Sequence, residues 1–252
     1  MAPPQSKIDF FTQLAEPFSG EALFDCLAEV VFFIKNHRGE YVVVNQTLVA
    51  RCGCRSKSEL IGRRVDNIFP PPFGPIYRTQ DERVLRGGGA IRNQLELHFY
   101  ATGGRGWCLT NKLPLYNRAG RVAGLAGISR DLQAANERSE DYSRIAKTIQ
   151  HIQTHFNETL RVRTLAAEAG LSPYQFEERI RKIFQLTVGQ LIQKVRMDNA
   201  VQRLRETDET IAEIALCCGY TDQSAFTRQF RKTSGFSPLE YRRTRERMKD
   251  KG

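Results

Sequence analysis

Side chains able to read the edges of DNA bases cluster between Gly219 and Lys232. Phe226 and Phe230 stand four residues apart, so they share one face of a helix. Four polar side chains point the other way: Gln223, Ser224, Thr227 and Arg228. Glutamine can pair with an adenine edge, and arginine can chelate a guanine edge. This layout is typical of the recognition helix of a helix-turn-helix unit, so it predicts a DNA partner.

The same pattern occurs a second time, further upstream. Each copy has an alanine and a glycine four residues apart, followed by two apolar residues that are also four apart. These residues are Ala166, Gly170, Phe176 and Ile180 in the first copy, and Ala215, Gly219, Phe226 and Phe230 in the second. An internal repeat indicates two copies of one structural unit. Two helix-turn-helix units are therefore expected, joined by an uninterrupted helical pattern from Leu191 to Leu204.

Several further motifs appear in order along this half of the chain. They are Arg196-x-x-x-Ala200-x-x-x-Leu204, Ile214-Ala215 with Gly219-Tyr220, and Gly235-x-Ser237-Pro238 with Tyr241-Arg242. Over residues 144–245 the chain therefore resembles the AraC/XylS family of bacterial transcription regulators. The resemblance implies an all-α domain with two helix-turn-helix units in successive major grooves of duplex DNA. No catalysis is required of such a protein.

Helix starts in this half carry recognisable caps. Ser172, Thr187, Thr210 and Ser237 each precede a Gln or Glu by three residues. Such pairs satisfy the free backbone donors of a helix N-terminus. The pattern predicts seven helices within a domain of residues 143–252, at about 143–157, 162–169, 173–184, 188–205, 211–218, 223–232 and 238–245.

The resemblance also assigns DNA contacts by position. Base reading in the second unit falls to Gln223, Ser224, Thr227 and Arg228, and in the first unit to Tyr174, Gln175, Glu177 and Glu178. Basic residues beside the reading helices are expected to contact phosphates, which supply affinity rather than sequence preference. These residues are Arg163, Arg181, Lys182, Arg231, Lys232 and Arg242, and for each the alternative is an ordinary solvated side chain.

Glu177 and Glu178 depart from the family pattern, because relatives often carry polar or basic residues there. A carboxylate can accept a hydrogen bond from a cytosine amino group, but phosphate repels it. The alternative is an ion pair with Arg181 or Lys182 one turn later, which we favour for Glu178.

The N-terminal half has the alternation of an α/β domain. Runs at 30–35 and 41–45 are β-branched and aromatic, and a tight turn over 36–39 separates them. A helix is expected over 76–87, followed by strands at 90–100, 106–116 and 121–130. Lys35-Asn36-x-x-Gly39, Glu59-Leu60-Ile61-Gly62 and Gly124-x-x-Gly127-Ile128 carry a resemblance to PAS sensor domains over residues 21–132.

The two resemblances together imply an α+β protein. A PAS-like five-stranded antiparallel sheet with helices precedes the seven-helix DNA-binding domain. A helical extension is expected over 1–20 and a polar connector over 133–142. The apolar residues of 8–14 fit one face of a helix, which must pack either on the chain's own sheet or on a second copy of the chain; we favour the second copy, and hence a homodimer.

The ligand of the PAS domain stays unknown at this stage. No cysteine stands in the context that a flavin-adduct PAS domain needs, and a haem would require His98 or His37 as its axial ligand, which we do not favour. A small organic ligand, or none, is the default. No metal site is expected either, because Cys52-Gly53-Cys54 lacks a second pair at ligand spacing.

Composition bounds the remaining alternatives. The 252 residues carry a net charge of +10, which favours a polyanionic partner. No apolar run is long enough to span a membrane and no signal peptide is evident, so a cytoplasmic protein is expected. RNA polymerase is a further partner expected of a regulator. A disfavoured rival is a DNA-repair methyl acceptor, which would need an activated thiol among Cys26, Cys52, Cys54 and Cys108.

Overall fold

A computed structural model describes residues 10, 13–15, 18–69, 73–100, 104–132 and 140–249. The side chains of residues 73, 99, 100, 104, 105 and 244–249 are not part of that description. Most of the expected extension over 1–20 and most of the connector over 133–142 lie outside the described residues. The packing expected for residues 8–14 therefore stays a prediction.

Among the described residues, the N-terminal part contains five strands, three α-helices and two short 3-10 helices at Lys57–Glu59 and Val65–Asn67. The strands and α-helices are α1 (Glu21–Asp25), β1 (Val30–Asn36), β2 (Tyr41–Val44), α2 (Gln46–Arg51), α3 (Phe73–Leu85), β3 (Ile91–Tyr100), β4 (Gly104–Tyr116) and β5 (Val122–Asp131). The strand order in the sheet is β2-β1-β5-β4-β3, and β1 runs antiparallel to both of its neighbours. The predicted five-stranded antiparallel sheet with helices is confirmed.

Asn45 fixes the start of this fold. Its side chain is fully buried, and its Nδ2 donates to the carbonyls of Val30 at 2.7 Å and Phe24 at 3.0 Å. Its Oδ1 accepts from the backbone N of Phe32 and from that of Leu48 in the first turn of α2. One side chain therefore caps a helix and holds β1 against it, since buried polar groups must be hydrogen-bonded.

The C-terminal part contains eight helices within the residues that the structure describes. They are α4 (Glu140–Ser143), α5 (Ala146–Thr154), α6 (Val162–Glu168), α7 (Pro173–Phe184), α8 (Val188–Glu206), α9 (Ile211–Cys217), α10 (Gln223–Ser234) and α11 (Pro238–Lys249). The last seven match the predicted helices, and α4 is an additional short one. The first long helix ends early, at Thr154, and the carbonyls of Phe156 and Glu158 beyond it accept hydrogen bonds from Arg196.

The chain forms two compact units. One contains residues up to 92 together with 100–104 and 110–130, and the other contains 93–99, 105–109 and 131 onward. The second unit therefore takes in the middle of β3 and the start of β4 as well as the helices. In the described part of the chain, no helix is both long and apolar enough to cross a membrane.

Candidate nucleic-acid interface

The second helix-turn-helix unit consists of α9 and α10. Gly219 ends the turn after α9 with a φ of 76°, a backbone conformation that side-chain-bearing residues rarely adopt. Asp222 then caps α10, because its Oδ1 accepts from the backbone N of Ala225 at 2.7 Å. That hydrogen bond is the main reason why the pKa of Asp222 lies below its usual value. The carboxylate also complements the positive end of the helix dipole.

The buried face of α10 is aromatic. Phe226 and Phe230 are fully buried, and their ring centroids lie 5.5 Å apart. The Phe230 ring also meets Tyr241 of α11 edge-on at 5.6 Å. These contacts fix the rotation of α10, so its remaining face must point outward.

Three of the four base-reading candidates on α10 are exposed. Gln223, Ser224 and Arg228 lie at the surface of the helix's first turns, and Thr227 is half-buried. The set includes two amide or guanidinium groups that can make bidentate hydrogen bonds with purine edges. The structure therefore brings them together on one outward face of a capped helix.

The first unit consists of α6 and α7, and its cap employs one of the reading candidates. Ser172 Oγ accepts from the backbone N of Gln175, while Gln175 Oε1 accepts from the backbone N of Ser172 at 3.0 Å. The oxygen of Gln175 is thereby engaged in the capping box. Tyr174 beside it is 75% exposed, so its ring stands out from the start of the helix.

The two glutamates of α7 both face Arg181. Glu178 Oε1 lies 3.1 Å from Arg181 Nη1, and Glu177 Oε1 lies 3.8 Å from Nη2 of the same guanidinium. Glu177 is the more buried of the two carboxylates, since its side chain is 25% exposed against 50% for Glu178. Arg181, a phosphate candidate, is therefore held by carboxylates of its own helix.

The other phosphate candidates fall into two groups. Arg163 and Lys232 are exposed at the surface. Arg231, Lys182 and Arg242 are engaged within the protein. Arg231 contacts Glu240 at 3.2 Å, Lys182 contacts Asp141, and Arg242 donates to the carbonyl of Glu209 at 2.6 Å. Arg242 is only half-exposed, so its main visible role is to join α11 to the start of α9.

Asp141 was not singled out from the sequence. It lies on α4 and pairs with Lys182 and with Arg179 of α7, and the hydrogen bond from Lys182 lowers its pKa. Its position between two basic residues of a reading helix makes it a local neutraliser of charge. No sequence pattern indicates this pairing, because 41 residues separate Asp141 from Lys182.

Arg196 holds the helices together from the middle of α8. Its Nε donates to the carbonyl of Phe156 at 2.7 Å and its Nη2 to that of Glu158 at 2.9 Å. The guanidinium also stands over the ring of Tyr220, 5.8 Å from the centroid. These contacts give it a structural role.

Three charged side chains are buried together beside the sheet of the N-terminal part. Lys35 of β1 and Lys112 of β4 both contact Asp81 of α3, Lys112 with an Nζ–Oδ1 distance of 2.8 Å. Lys35 Nζ also lies 4.1 Å from the centroid of the Tyr41 ring. Burial alone would raise the pKa of Asp81, but the two ammonium groups hold it below the usual value. Lys35, Asp81 and Lys112 come from three separate elements, so no local pattern in the sequence indicates this group.

The two histidines considered for haem are in different places. His37 is exposed in the turn after β1, whereas His98 is a half-buried residue of β3 whose Nε2 lies 3.2 Å from Glu96 Oε2. Two of the cysteines considered for methyl transfer have thiols that resist ionisation. Burial raises the pKa of the Cys52 thiol to about 12, and burial also raises the pKa of the Cys54 thiol.

Comparison with known families gives two matches that follow one another along the chain. Residues 165–244 match the helix-turn-helix domain family, and residues 24–137 match the PAS fold family. Each match falls on the part of the structure with the corresponding architecture.

Individual relatives match part of the chain. The chain is 31% identical over 98 residues to the regulatory protein SoxS of Salmonella typhimurium, a match that covers 39% of this chain and 92% of SoxS. It is also 31% identical over 107 residues to the bifunctional transcriptional activator/DNA repair enzyme AdaA of Bacillus subtilis. That match covers 42% of this chain and 51% of AdaA, so the chain spans about half the length of this relative.

Among solved structures, the chain is similar to the C-terminal domain of AraT, a response regulator from Geobacillus stearothermophilus. The sequence identity is 33% and the TM-score 0.40, with 42% of this chain and 89% of that chain covered.

Proposed function

We propose, since the chain belongs to the AraC/XylS family of transcription regulators, that it binds duplex DNA sequence-specifically and controls transcription through a PAS sensor domain. The two reading helices α7 and α10 would enter successive major grooves about 34 Å apart on one face of the duplex. We propose that it acts in the bacterial cytoplasm, where such a DNA partner is found.

The outward face of α10 is the observation that carries this proposal. Gln223, Ser224 and Arg228 are exposed on a helix whose opposite face is fixed by Phe226 and Phe230. A helix that is already folded presents these side chains without a further cost of ordering its backbone on binding. We assign base reading in the second unit to these residues and to Thr227, and phosphate contacts to Arg163 and Lys232.

The first unit is proposed to contribute less affinity. Arg181 is paired with Glu177 and Glu178, and Lys182 with Asp141. These pairs must break or rearrange before either cation can contact a phosphate. We therefore assign base reading in this unit to Tyr174 and to the amide nitrogen of Gln175, whose oxygen is engaged in the capping box. Glu177 is the carboxylate that we assign to a cytosine contact.

The sensor half is proposed to answer to a small molecule and to support a homodimer. The buried group of Lys35, Asp81 and Lys112 carries a net positive charge, which supports a ligand with an anionic or strongly polar group. Phe18, Leu23 and Leu27 are large apolar side chains exposed around α1, which supports self-association through this surface. RNA polymerase is the partner proposed for the transcriptional step.

We also propose that the chain is not an enzyme, although AdaA is a bifunctional one. A methyl acceptor needs an activated thiolate. Burial instead disfavours the thiolate of Cys52, whose pKa is about 12. A methylated-DNA substrate mixed with the full-length chain should leave every cysteine unmodified by mass spectrometry; methyl transfer to any of them would overturn this part of the proposal.

DNA binding is tested on the full-length chain by selection from random duplexes, followed by titration of the selected site. We expect one preferred sequence, and log affinity falling with log salt at a slope of about −0.9 for each phosphate contacted. Arg228→Ala should lose preference at one base pair. Arg118→Ala, which removes an exposed arginine from the turn between β4 and β5, is the matched control. Selection that returns no sequence preference would refute the proposal.

A further inference from the structure

Three side chains with metal-binding atoms converge on strands β3 and β4. A carboxylate oxygen of Glu96, a ring nitrogen of His98 and Sγ of Cys108 lie within 4.8 Å of one another. Within the residues that the structure describes, this is the one group of three or more His, Cys, Asp or Glu side chains with that geometry. Glu96 and Cys108 are buried, and the His98 side chain is 21% exposed.

The sheet itself creates this group. Residues two apart on a strand point to the same face, so Glu96 and His98 share one face of β3 while Leu95 and Leu97 share the other. Strand β4 is the neighbour of β3 in the sheet, and it supplies Cys108. The three ligand atoms therefore come from rigid, hydrogen-bonded strands.

We propose that Glu96, His98 and Cys108 bind a single zinc ion. Thiolate, imidazole and carboxylate are the three side-chain ligands that Zn²⁺ takes in proteins. Three protein ligands would leave the fourth tetrahedral position to water, as in zinc sites that remain open to an exogenous ligand.

The observed spacing is close to what such an ion needs. Zinc–ligand bonds of about 2.0–2.3 Å in a tetrahedron set ligand atoms roughly 3.3–3.8 Å apart. His98 Nε2 and Glu96 Oε2 already lie 3.2 Å apart. The remaining separations, at most 4.8 Å, need to close by about 1 Å, which side-chain rotation can supply.

A neighbouring side chain orients the carboxylate. Gln94, two residues before Glu96 on the same face of β3, donates from Nε2 to Glu96 Oε1 at 2.6 Å. The other oxygen, Oε2, is the one that faces His98. Outer partners of this kind hold metal ligands in position and tune their affinity.

Other cysteines provide a contrast within the same chain. Cys52 and Cys54 are only two residues apart, yet they belong to no converging group in the described part of the chain. They pack instead among apolar residues such as Val49 and Leu60. Closeness in sequence therefore does not bring Cys52 and Cys54 into a group of possible metal ligands, whereas pairing of β3 with β4 brings Cys108 next to Glu96 and His98.

The proposal is tested on the full-length chain, purified under reducing conditions, stripped with a chelator and titrated with Co²⁺ and then Zn²⁺. We expect one ion per chain, with a thiolate-to-cobalt charge-transfer absorption that Zn²⁺ abolishes. His98→Gln and Cys108→Ala should each weaken binding at least tenfold. The matched controls are His37→Gln and Cys26→Ser, which remove an exposed histidine and an exposed cysteine.

Glu96→Gln provides a further variant if Cys108→Ala fails to fold, since it keeps the side-chain shape. It should retain the charge-transfer absorption with weaker affinity. A chain that binds neither ion would overturn the proposal, and so would binding that survives His98→Gln unchanged or that is lost equally in the control variants. Failure of this site would leave the DNA-binding proposal intact, because the two experiments share no residue.

Discussion

Gly219 lies directly against the backbone of Asn157. A Cβ atom added at Gly219 would stand 2.8 Å from both the Cα and the carbonyl oxygen of Asn157, closer than real Cβ contacts allow. The equivalent glycine of the first unit, Gly170, also has a positive φ, but nothing lies within 4 Å of its added Cβ. The repeat therefore places two glycines under different constraints.

This difference predicts unequal costs for the same substitution. Gly170→Ala should lose about 1–2 kcal/mol of unfolding free energy from the left-handed backbone alone. Gly219→Ala adds the clash with Asn157, worth a further 1–3 kcal/mol or so by analogy with overpacked cores. Urea unfolding of both variants measures the difference. Equal losses would show that the Asn157 backbone moves away freely.

The buried contact of Asp81 with Lys35 and Lys112 predicts a large stability effect. Asp81→Asn leaves two ammonium groups without their counter-charge in the interior, which should cost about 3–5 kcal/mol at pH 7. Asp25→Asn is the control, because Asp25 pairs with Lys57 at 2.6 Å but is partly exposed. The loss of unfolding free energy in Asp25→Asn should stay below about 1 kcal/mol. Similar losses of unfolding free energy in both variants would contradict a buried contact of Asp81 with Lys35 and Lys112.

The same carboxylate predicts a pH dependence with a definite sign. The pKa of Asp81 in the folded protein lies below the ordinary aspartate value of 3.8, although burial opposes this, because Lys112 and Lys35 favour the charged form. The stability that Asp81 contributes is therefore fully present above pH 3.8 and is lost as the pH falls through the folded pKa. The stability gap between wild type and Asp81→Asn should shrink on acidification below pH 3.8. A stability difference that widens below pH 3.8 would contradict the lowered pKa of Asp81.

The pairing of Glu178 with Arg181 predicts a gain in DNA affinity on substitution. Glu178→Gln removes the nearer of the two carboxylates on Arg181 and leaves Glu177 at 3.8 Å, so affinity for any duplex should rise and the salt slope should steepen by up to about 0.9. Glu206→Gln removes the same charge from a site whose hydrogen-bond partner is the neutral Gln202. A loss of preference for cytosine with Glu178→Gln would instead assign this carboxylate to base reading.

Arg228 and Lys232 are expected to separate specificity from affinity. Arg228 is exposed on the early turns of α10, and Lys232 is exposed near its end. Arg228→Ala should cost about 1–3 kcal/mol on the preferred site and relax one base position. Lys232→Ala should weaken all duplexes alike. Competition with single-base variants of the selected site distinguishes the two, and an unchanged base profile for Arg228→Ala would refute its assignment.

Local signals in the sequence were enough to predict the helical half. The Ser172–Gln175 and Thr210–Glu213 capping boxes, Gly219 and Gly235 mark helix ends through interactions within a few residues. The four-residue spacing of Phe226 and Phe230 likewise fixes which face of α10 is buried. Information of this kind is independent of the rest of the fold, so seven of the helices and the outward face of α10 follow from the chain alone, whereas α4 and the early end of α5 at Thr154 do not.

The strands and their turns were predictable for a similar reason, since β-branched residues and the Asn36–Gly39 turn act locally. Pairing between distant segments is different, because it depends on sheet order and register. Only the tertiary structure brought Asp81 between Lys35 and Lys112, Arg196 onto the carbonyl of Phe156, and Cys108 beside Glu96 and His98. Each of these groups joins side chains from separate elements, and their charge or ligand chemistry has meaning only once those elements are packed.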